Sequence, residues 1–274
     1  MVRSLWTAAT GMNAQQTNVD TISNNLANVN TAGYKAQGAQ FKSLLYQTLQ
    51  TTTTTANGDP RPTTSQVGLG VRTASINSFF SQGSLLANDS TTAFAISGKG
   101  FFAYNDADGN PLYTRNGDFT WALGDEDGTE LVLTTTDGNP ILDTEGEEIR
   151  IDGGLIANKL TVGSDGVIYY PNDDGVPESL GQQIGLWQFN NPGGLERVGS
   201  TSFRVTAASG EALNEAEEDE LDTSEIVQGY LEGSNVNVAT EMVNLIVAQR
   251  AYEMNSTAIT TTDDMMQTAN NLKR

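Results

Sequence analysis

The 274-residue chain contains no cysteine and no histidine. Without thiolate or imidazole there is no zinc site of the usual kind, no Ser-His-Asp or Cys-His nucleophile, and no disulfide to staple a fold. Basic residues are scarce: 14 Lys and Arg stand against 34 Asp and Glu, a formal net charge of −20. No basic stripe is available to displace counterions from a phosphate backbone, so nucleic acid is not an expected partner. No run approaches the ~18 apolar residues of a membrane span, and direct membrane insertion is not expected. Arg3 is followed by Leu5 and Trp6, but Asn13, Gln15 and Gln16 interrupt any apolar core of a cleaved signal peptide.

Charge is also missing locally. Residues 4–34 carry one charged side chain, Asp20. Residues 101–225 hold 26 acids and 5 bases, a net of −21, and the rest of the chain has a net of +1. The middle therefore reads as a solvated, self-repelling body between neutral ends. An amphipathic helix in water normally covers its outer face with charge. Here the polar positions of the first helix are Asn, Gln, Ser and Thr. Such a helix can be packed on more than one side without stranding ions in a low-dielectric interior. This pattern points to a subunit whose termini lie among other subunits rather than to an enzyme.

The period of the apolar residues predicts a helix over 2–29, with the seam Leu5, Ala9, Met12, Gln16, Val19, Ser23 and Leu26. Asn28, Asn30 and Gly33 supply its stop. A short extension or second helix is expected over 36–49, from Phe41, Leu44, Leu45, Tyr46 and Leu49. Residues 50–66 (QTTTTTANGDPRPTTSQ) are low-complexity, with Pro60 and Pro62 breaking any regular element. From Val67 the period changes to two. Asp-Gly dipeptides beginning at Asp108, Asp127, Asp137, Asp152, Asp165 and Asp174, with Asn116-Gly117, predict hairpins with type I′ turns. The strands expected between them include Phe101–Tyr104, Leu131–Leu133, Val167–Tyr170 and Gly185–Phe189. The acidic stretch 211–222 is expected as solvated surface. A last helix is predicted over 236–272, with Ser234, Asn235 and Asn237 as candidate N-caps. Its predicted seam is Val238, Met242, Leu245, Gln249, Tyr252, Ser256, Ile259, Asp263 and Met266.

The fold class is accordingly α+β: N- and C-terminal helices pair as a coiled-coil-like inner domain, and a central all-β domain is built of short hairpin-connected strands. The expected division is 1–35 with 235–274 as the helical assembly domain, 36–74 with 211–234 as a connecting region, and 75–210 as the β-domain.

Chemical sites are hard to find. Asp106, Asp108 and Asn110 resemble part of a calcium loop, but the third ligand before the Gly and the closing Glu are not in place. Gly98-Lys99-Gly100 and Gly68-Leu69-Gly70 lack the third Gly of a dinucleotide loop. No apolar pocket for a catalytic carboxylate is legible. No catalytic, cofactor or metal residue is assigned, and no cofactor is expected.

Read as paired helices around a β-domain, the residues resemble a known family. Thr21–Lys35 (TISNNLANVNTAGYK) is similar to the N-terminal signature of the bacterial flagellar rod and hook proteins, and Ile226–Thr262 to their C-terminal signature. Ser4–Gln16, Leu44–Thr48 (LLYQT), Gln66–Phe102, Tyr113–Phe119 (YTRNGDF), Asn191–Leu195 and 199–210 resemble the distal-rod branch in particular. The resemblance implies a structural subunit, not an enzyme. Such subunits leave the cell through the flagellar type III export apparatus without a cleaved signal. They stack helically into a hollow shaft that runs in the basal body from periplasm to outer membrane. It implies as partners further copies of the chain, other rod proteins at the proximal end, hook subunits at the distal end, and the surrounding P-ring and L-ring. The expected assembly interface comprises Leu5, Met12, Val19, Asn24, Asn25, Leu26, Tyr46, Leu49, Met242, Leu245, Arg250, Tyr252, Ile259 and Met266. Tyr46 and Leu49 would anchor a segment over 46–66 that stiffens the shaft. In the free monomer, 1–35 and 235–274 are expected to be largely disordered around a β-rich core near 70–225. A proximal rod or hook subunit is the alternative within the family. A peptidoglycan-acting enzyme and a calcium-binding adhesin are the alternatives outside it.

Overall fold

The computed structural model describes residues 2–50, 65–124, 130–172, 176–217 and 221–272. The expected turns at Asp127 and Asp174 and most of the Thr/Pro-rich stretch lie outside the described residues. The chain is α+β and falls into two compact units. The first comprises 1–27, 37–78 and 237–274, and the second 28–36 and 79–236.

The first unit is built on two long helices, α1 (Val2–Ala27) and α2 (Val238–Asn271). At 1.5 Å per residue they are about 39 and 51 Å long. Asn237 caps α2: its side chain accepts from the Thr240 amide at 3.1 Å, and Glu241 sits in the first turn where the helix dipole favours an acid. Many interior polar positions are Thr. Thr7, Thr17, Thr21, Thr257, Thr262 and Thr268 each donate to the carbonyl four residues back, which lets a hydroxyl sit on a helix without a tertiary partner.

Residues 37–50 form no helix. Gln37–Ser43 pairs antiparallel with Val71–Ser78, and Tyr46–Gln50 pairs with Ser65–Gly68. Leu44 N–H donates to the Gly70 carbonyl at 2.8 Å between these two ladders. The result is one two-stranded ribbon. Its apolar residues cluster as they would in a helix, but the partner strand starts some twenty residues downstream and satisfies the backbone instead.

The second unit holds the remaining strands. A six-stranded antiparallel sheet has the order Glu196–Arg197, Ser202–Arg204, Pro111–Thr114, Phe101–Asn105, Leu186–Gln188, Leu213–Asn214. Its central strand is covered on both faces. Phe102 and Tyr104 join Phe94, Phe119, Leu133, Ile141, Ile149, Ile168 and Ile184 on one side, and Phe101 and Ala103 join Tyr113, Trp187, Phe189 and Phe203 on the other. This explains the unbroken apolar run Phe101–Tyr104. Phe101 makes edge-on contacts with Phe80 and Phe189, with ring centroids 5.5 Å apart in each case.

The Asp-Gly turns form with a different geometry from the one expected. Among the described residues only glycines have positive φ, so the Asp residues do not take the type I′ conformation. Instead Gly109, Gly138 and Gly166 donate to the carbonyls of Asp106, Thr135 and Gly163, each three residues back, with φ between 77° and 86°; Gly146, after Glu145, does the same to Asp143 with φ 82°. This is a type I turn closed by a left-handed glycine, which also suits the right-handed twist of short strands. Gly153 and Gly117 have no positive φ, and at Asp152-Gly153 the Leu155 N–H donates to the Asp152 carbonyl. Asp143 reinforces its turn by accepting from the Glu145 and Glu147 amides.

The acidic stretch is less free than expected. Leu213–Asn214 completes the edge of the six-stranded sheet. The Glu215 carboxylate accepts from the Ser224 amide at 2.7 Å, the Ser224 hydroxyl at 2.9 Å and Gln188 Nε2 at 2.9 Å. Residues 218–220 lie outside the described residues.

Candidate assembly surface

The helix pair of the first unit exposes the candidate surface. On α2 the residues turned toward α1 are Glu241, Leu245, Ala248, Asn255, Ile259, Thr262 and Met266, with Ala248 and Thr262 fully buried. Three of the nine predicted seam positions, Leu245, Ile259 and Met266, lie on this face and are partly covered, while Val238, Met242 and Tyr252 are exposed. Elsewhere the buried positions are Ala248 and Thr262 rather than Gln249 and Asp263, which are exposed, while Asn255 and Ser256 are both partly covered. Small residues there let the backbones approach. A Cβ at Gly11 would lie 2.9 Å from Asn255 Nδ2, so a larger residue there would have to displace that side chain. On α1 the buried residues are Ala8, Ala14, Thr21, Ile22 and Asn25. Leu5, Met12, Val19 and Leu26 flank them, half-buried.

Asn25 is engaged within its own chain. Its amide donates to the Gln37 carbonyl at 2.8 Å, and its Oδ1 accepts from the Gln37 N–H at 2.9 Å. The side chain thus stands in for a neighbouring strand at the start of the ribbon. Asn24 is exposed, and its amide reaches the Gln37 side chain at 3.3 Å. At the far part of the ribbon, Tyr46 and Leu49 are exposed, as are Leu45, Val67 and Leu69.

The opposite face of α2 carries Val243, Ile246, Val247, Met254 and Met265, every one of them more than half exposed. Spacings of three, four, seven and eleven keep these residues on one side of a 3.6-residue helix. Arg250 sits within this stripe and pairs with Glu253 at 2.8 Å. Met242 lies at its border, exposed, and Tyr252, seven residues from both Leu245 and Ile259, lies on the α1 side of the helix although it is 41% exposed. Trp6 adds an exposed indole on α1. Large apolar side chains exposed together on one helix face mark an interaction surface. Hydrophobic periodicity located the helix but not this second stripe, which the seven-residue spacing of the first one masked.

The second unit contains a site that sequence reasoning missed. Lys35, Arg115 and Glu232 are buried together, with side chains no more than 2% exposed. Lys35 Nζ donates to Glu232 Oε1 at 2.6 Å and to the Ser81 carbonyl at 2.9 Å. Arg115 donates to Glu232 Oε2 at 3.2 Å and to the Gly98 carbonyl at 2.7 Å, and its guanidinium lies over the Phe101 ring. The Gly83 amide adds a third donor to the carboxylate at 2.8 Å. Burial lowers the pKa of Lys35 and of Arg115, and Glu232 opposes the shift in each. The available signal was a lone Lys at the end of a nearly uncharged stretch. Among the described residues no group of acidic side chains is arranged to hold a metal ion, and no helix is long and apolar enough to cross a membrane.

Comparison with known proteins agrees with this architecture. Three family models match: "Flagella basal body rod protein" over residues 5–35, "Flagellar hook protein FlgE/F/G D1 domain" over 95–170, and "Flagellar basal body rod FlgEFG protein C-terminal" over 227–272. The chain is 43% identical to the flagellar basal-body rod protein FlgG of Borreliella burgdorferi, over 100% of both chains. It is 39% identical to the FlgG of Caulobacter vibrioides, over 99% of this chain and 100% of that one, and 35% identical to that of Bacillus subtilis, over 100% of both. With two terminal helices flanking a β-rich middle and full-length matches to these relatives, the chain belongs to the flagellar basal-body rod protein family and is a structural subunit of the rod.

Proposed function

We propose that the chain stacks with copies of itself into the hollow distal rod, and that the helix pair makes the contacts between copies. The observation that carries this reading is the outer stripe of α2. Covering half-exposed Val, Ile and Met side chains contributes about 1 kcal/mol or more each, and a helical array repeats the gain at every subunit. Leu245, Tyr252 and Ile259 serve the pairing of α1 with α2, while Met242, Arg250 and the outer stripe face the next copy. The same shaft carries torque from motor to hook. Its neighbours are other rod proteins at the proximal end, hook subunits at the distal end, and the P- and L-rings around it. The chain reaches the periplasm through the flagellar export apparatus, without a cleaved signal.

The test places one charge on each face. Val247→Asp is expected to leave the isolated subunit folded by circular dichroism but to abolish rod assembly and swimming. Leu245→Asp is expected to abolish both as well, by preventing the pairing of α1 with α2. Normal motility of the Val247→Asp strain would refute the assignment of the outer stripe.

A further inference from the structure

Each of the three family matches contributes one member to the buried charge cluster. Lys35 is the last residue of the first matched segment, Arg115 lies in the second, and Glu232 in the third. The backbone around them is tied in the same way. Gly33 N–H donates to the Glu232 carbonyl at 2.7 Å. Asn235 Oδ1 accepts from the Ala36 amide at 2.7 Å, and its Nδ2 donates to the Phe79 carbonyl at 2.8 Å and the Ser81 hydroxyl at 2.9 Å. Arg197 donates to the Lys35 carbonyl at 2.7 Å and stacks over Tyr34, which is itself buried. Gly33 has φ +69°, and a Cβ there would lie 2.4 Å from the Asn116 nitrogen, so the segment meets the strand end at 115–116 backbone to backbone. All these groups belong to the second unit. The segments they bind, 28–36, 79–83 and 232–236, are those through which the chain leaves that unit for the helices and the ribbon.

We propose that Glu232, holding Lys35 and Arg115, is a latch that keeps residues 28–36 and 232–236 fixed to the β-rich unit of the free subunit, whether or not α1 and α2 are paired. One carboxylate accepts from two buried cations and a backbone amide, and removing it leaves two desolvated positive charges without a counterion. The hydrogen bonds of 33–36 and 232–235 run to the second unit itself, so they do not depend on the helices. The ordered core of a free subunit therefore begins at residue 28 and ends at 236, although the helices beyond are free to form only on assembly. In the assembled shaft the same latch gives each helix a fixed point of attachment.

Hydrogen exchange followed by mass spectrometry on the full-length monomer tests this. Peptides covering 30–36 and 231–236 are expected to be protected like the core strand 101–105. Ala14→Pro, which breaks α1, should leave their exchange rates within about twofold of the wild type. Glu232→Gln should accelerate them on the order of a hundredfold. Loss of protection in Ala14→Pro would show that the helices, not the latch, hold these segments, and retained protection in Glu232→Gln would equally overturn the proposal. Should Glu232→Gln also deprotect 101–105, the wild-type and Ala14→Pro measurements decide alone, and Lys35→Met, which keeps the buried stem and the Arg115 pair, replaces it. That variant is expected to deprotect 30–36 and the Gly83 amide while 101–105 stays protected.

Discussion

Tyr104 and Tyr113 illustrate how a single side chain sets a condition on the whole β-rich unit. Both are buried, and burial raises both phenol pKa values, because a phenolate would have to ionise in an apolar surround. For Tyr104 the hydrogen bond to the Ser202 hydroxyl at 2.5 Å works against that shift but does not cancel it. The folded state then keeps protons that the unfolded chain releases above about pH 10. The tyrosine contribution is intact below the unfolded pKa and is lost as pH rises through the higher folded values. Denaturant titrations are therefore expected to show falling stability above about pH 10, with less of that fall in Tyr113→Phe. An unchanged alkaline limb in that variant would remove Tyr113 as a cause.

At the scale of elements, the two-stranded ribbon joins no larger sheet among the described residues. A lone two-stranded hairpin is marginal in water. The part nearest α1 is supported: Asn25 pins Gln37, and the Thr10 hydroxyl accepts from the Val71 amide at 3.4 Å. The part beyond Leu44 presents Leu45, Tyr46, Leu49, Val67 and Leu69 uncovered. Such exposed apolar side chains suit burial against a neighbouring copy, as the stiffening role expected for 46–66 requires. Deleting 46–66 is expected to give a rod that fails to form or bends, seen by electron microscopy of isolated basal bodies, while the β-rich unit melts as before. A straight, functional rod after the deletion would reduce the segment to a tether.

For the whole molecule, charge is the dominant long-range force. The excess of acids over 101–225 repels itself, and the exposed pairs Lys99–Asp222 and Arg150–Glu148 offset little of it. Raising ionic strength from about 0.01 to 0.15 M shortens the screening length from about 30 to 8 Å. The melting temperature of the β-rich unit is expected to rise by a few degrees over that range, since the buried latch is screened far less than the surface. A fall would mean that exposed ion pairs outweigh the repulsion. A hydrated acidic surface also keeps neighbouring surfaces from sticking.

Local periodicity was enough to place both helices to within about two residues and to mark the β-rich middle, because a 3.6-residue period and Asp-Gly turns act over a few neighbours. The terminal motifs were enough to identify the family. Contacts between distant residues decided the rest. The ribbon could not be read from 36–49 because its register is set by 65–78. The α2 seam shifted by one residue on one side because Ala248 and Thr262 are chosen for size, which a hydrophobic pattern does not register. Lys35 and Glu232 are 197 positions apart, and Arg115 and Glu232 are 117 apart. A buried ion cluster exists only when the fold supplies counterion and hydrogen bonds together, so the lone Lys35 after a nearly uncharged stretch could mark a site but could not name Arg115 and Glu232 as its partners.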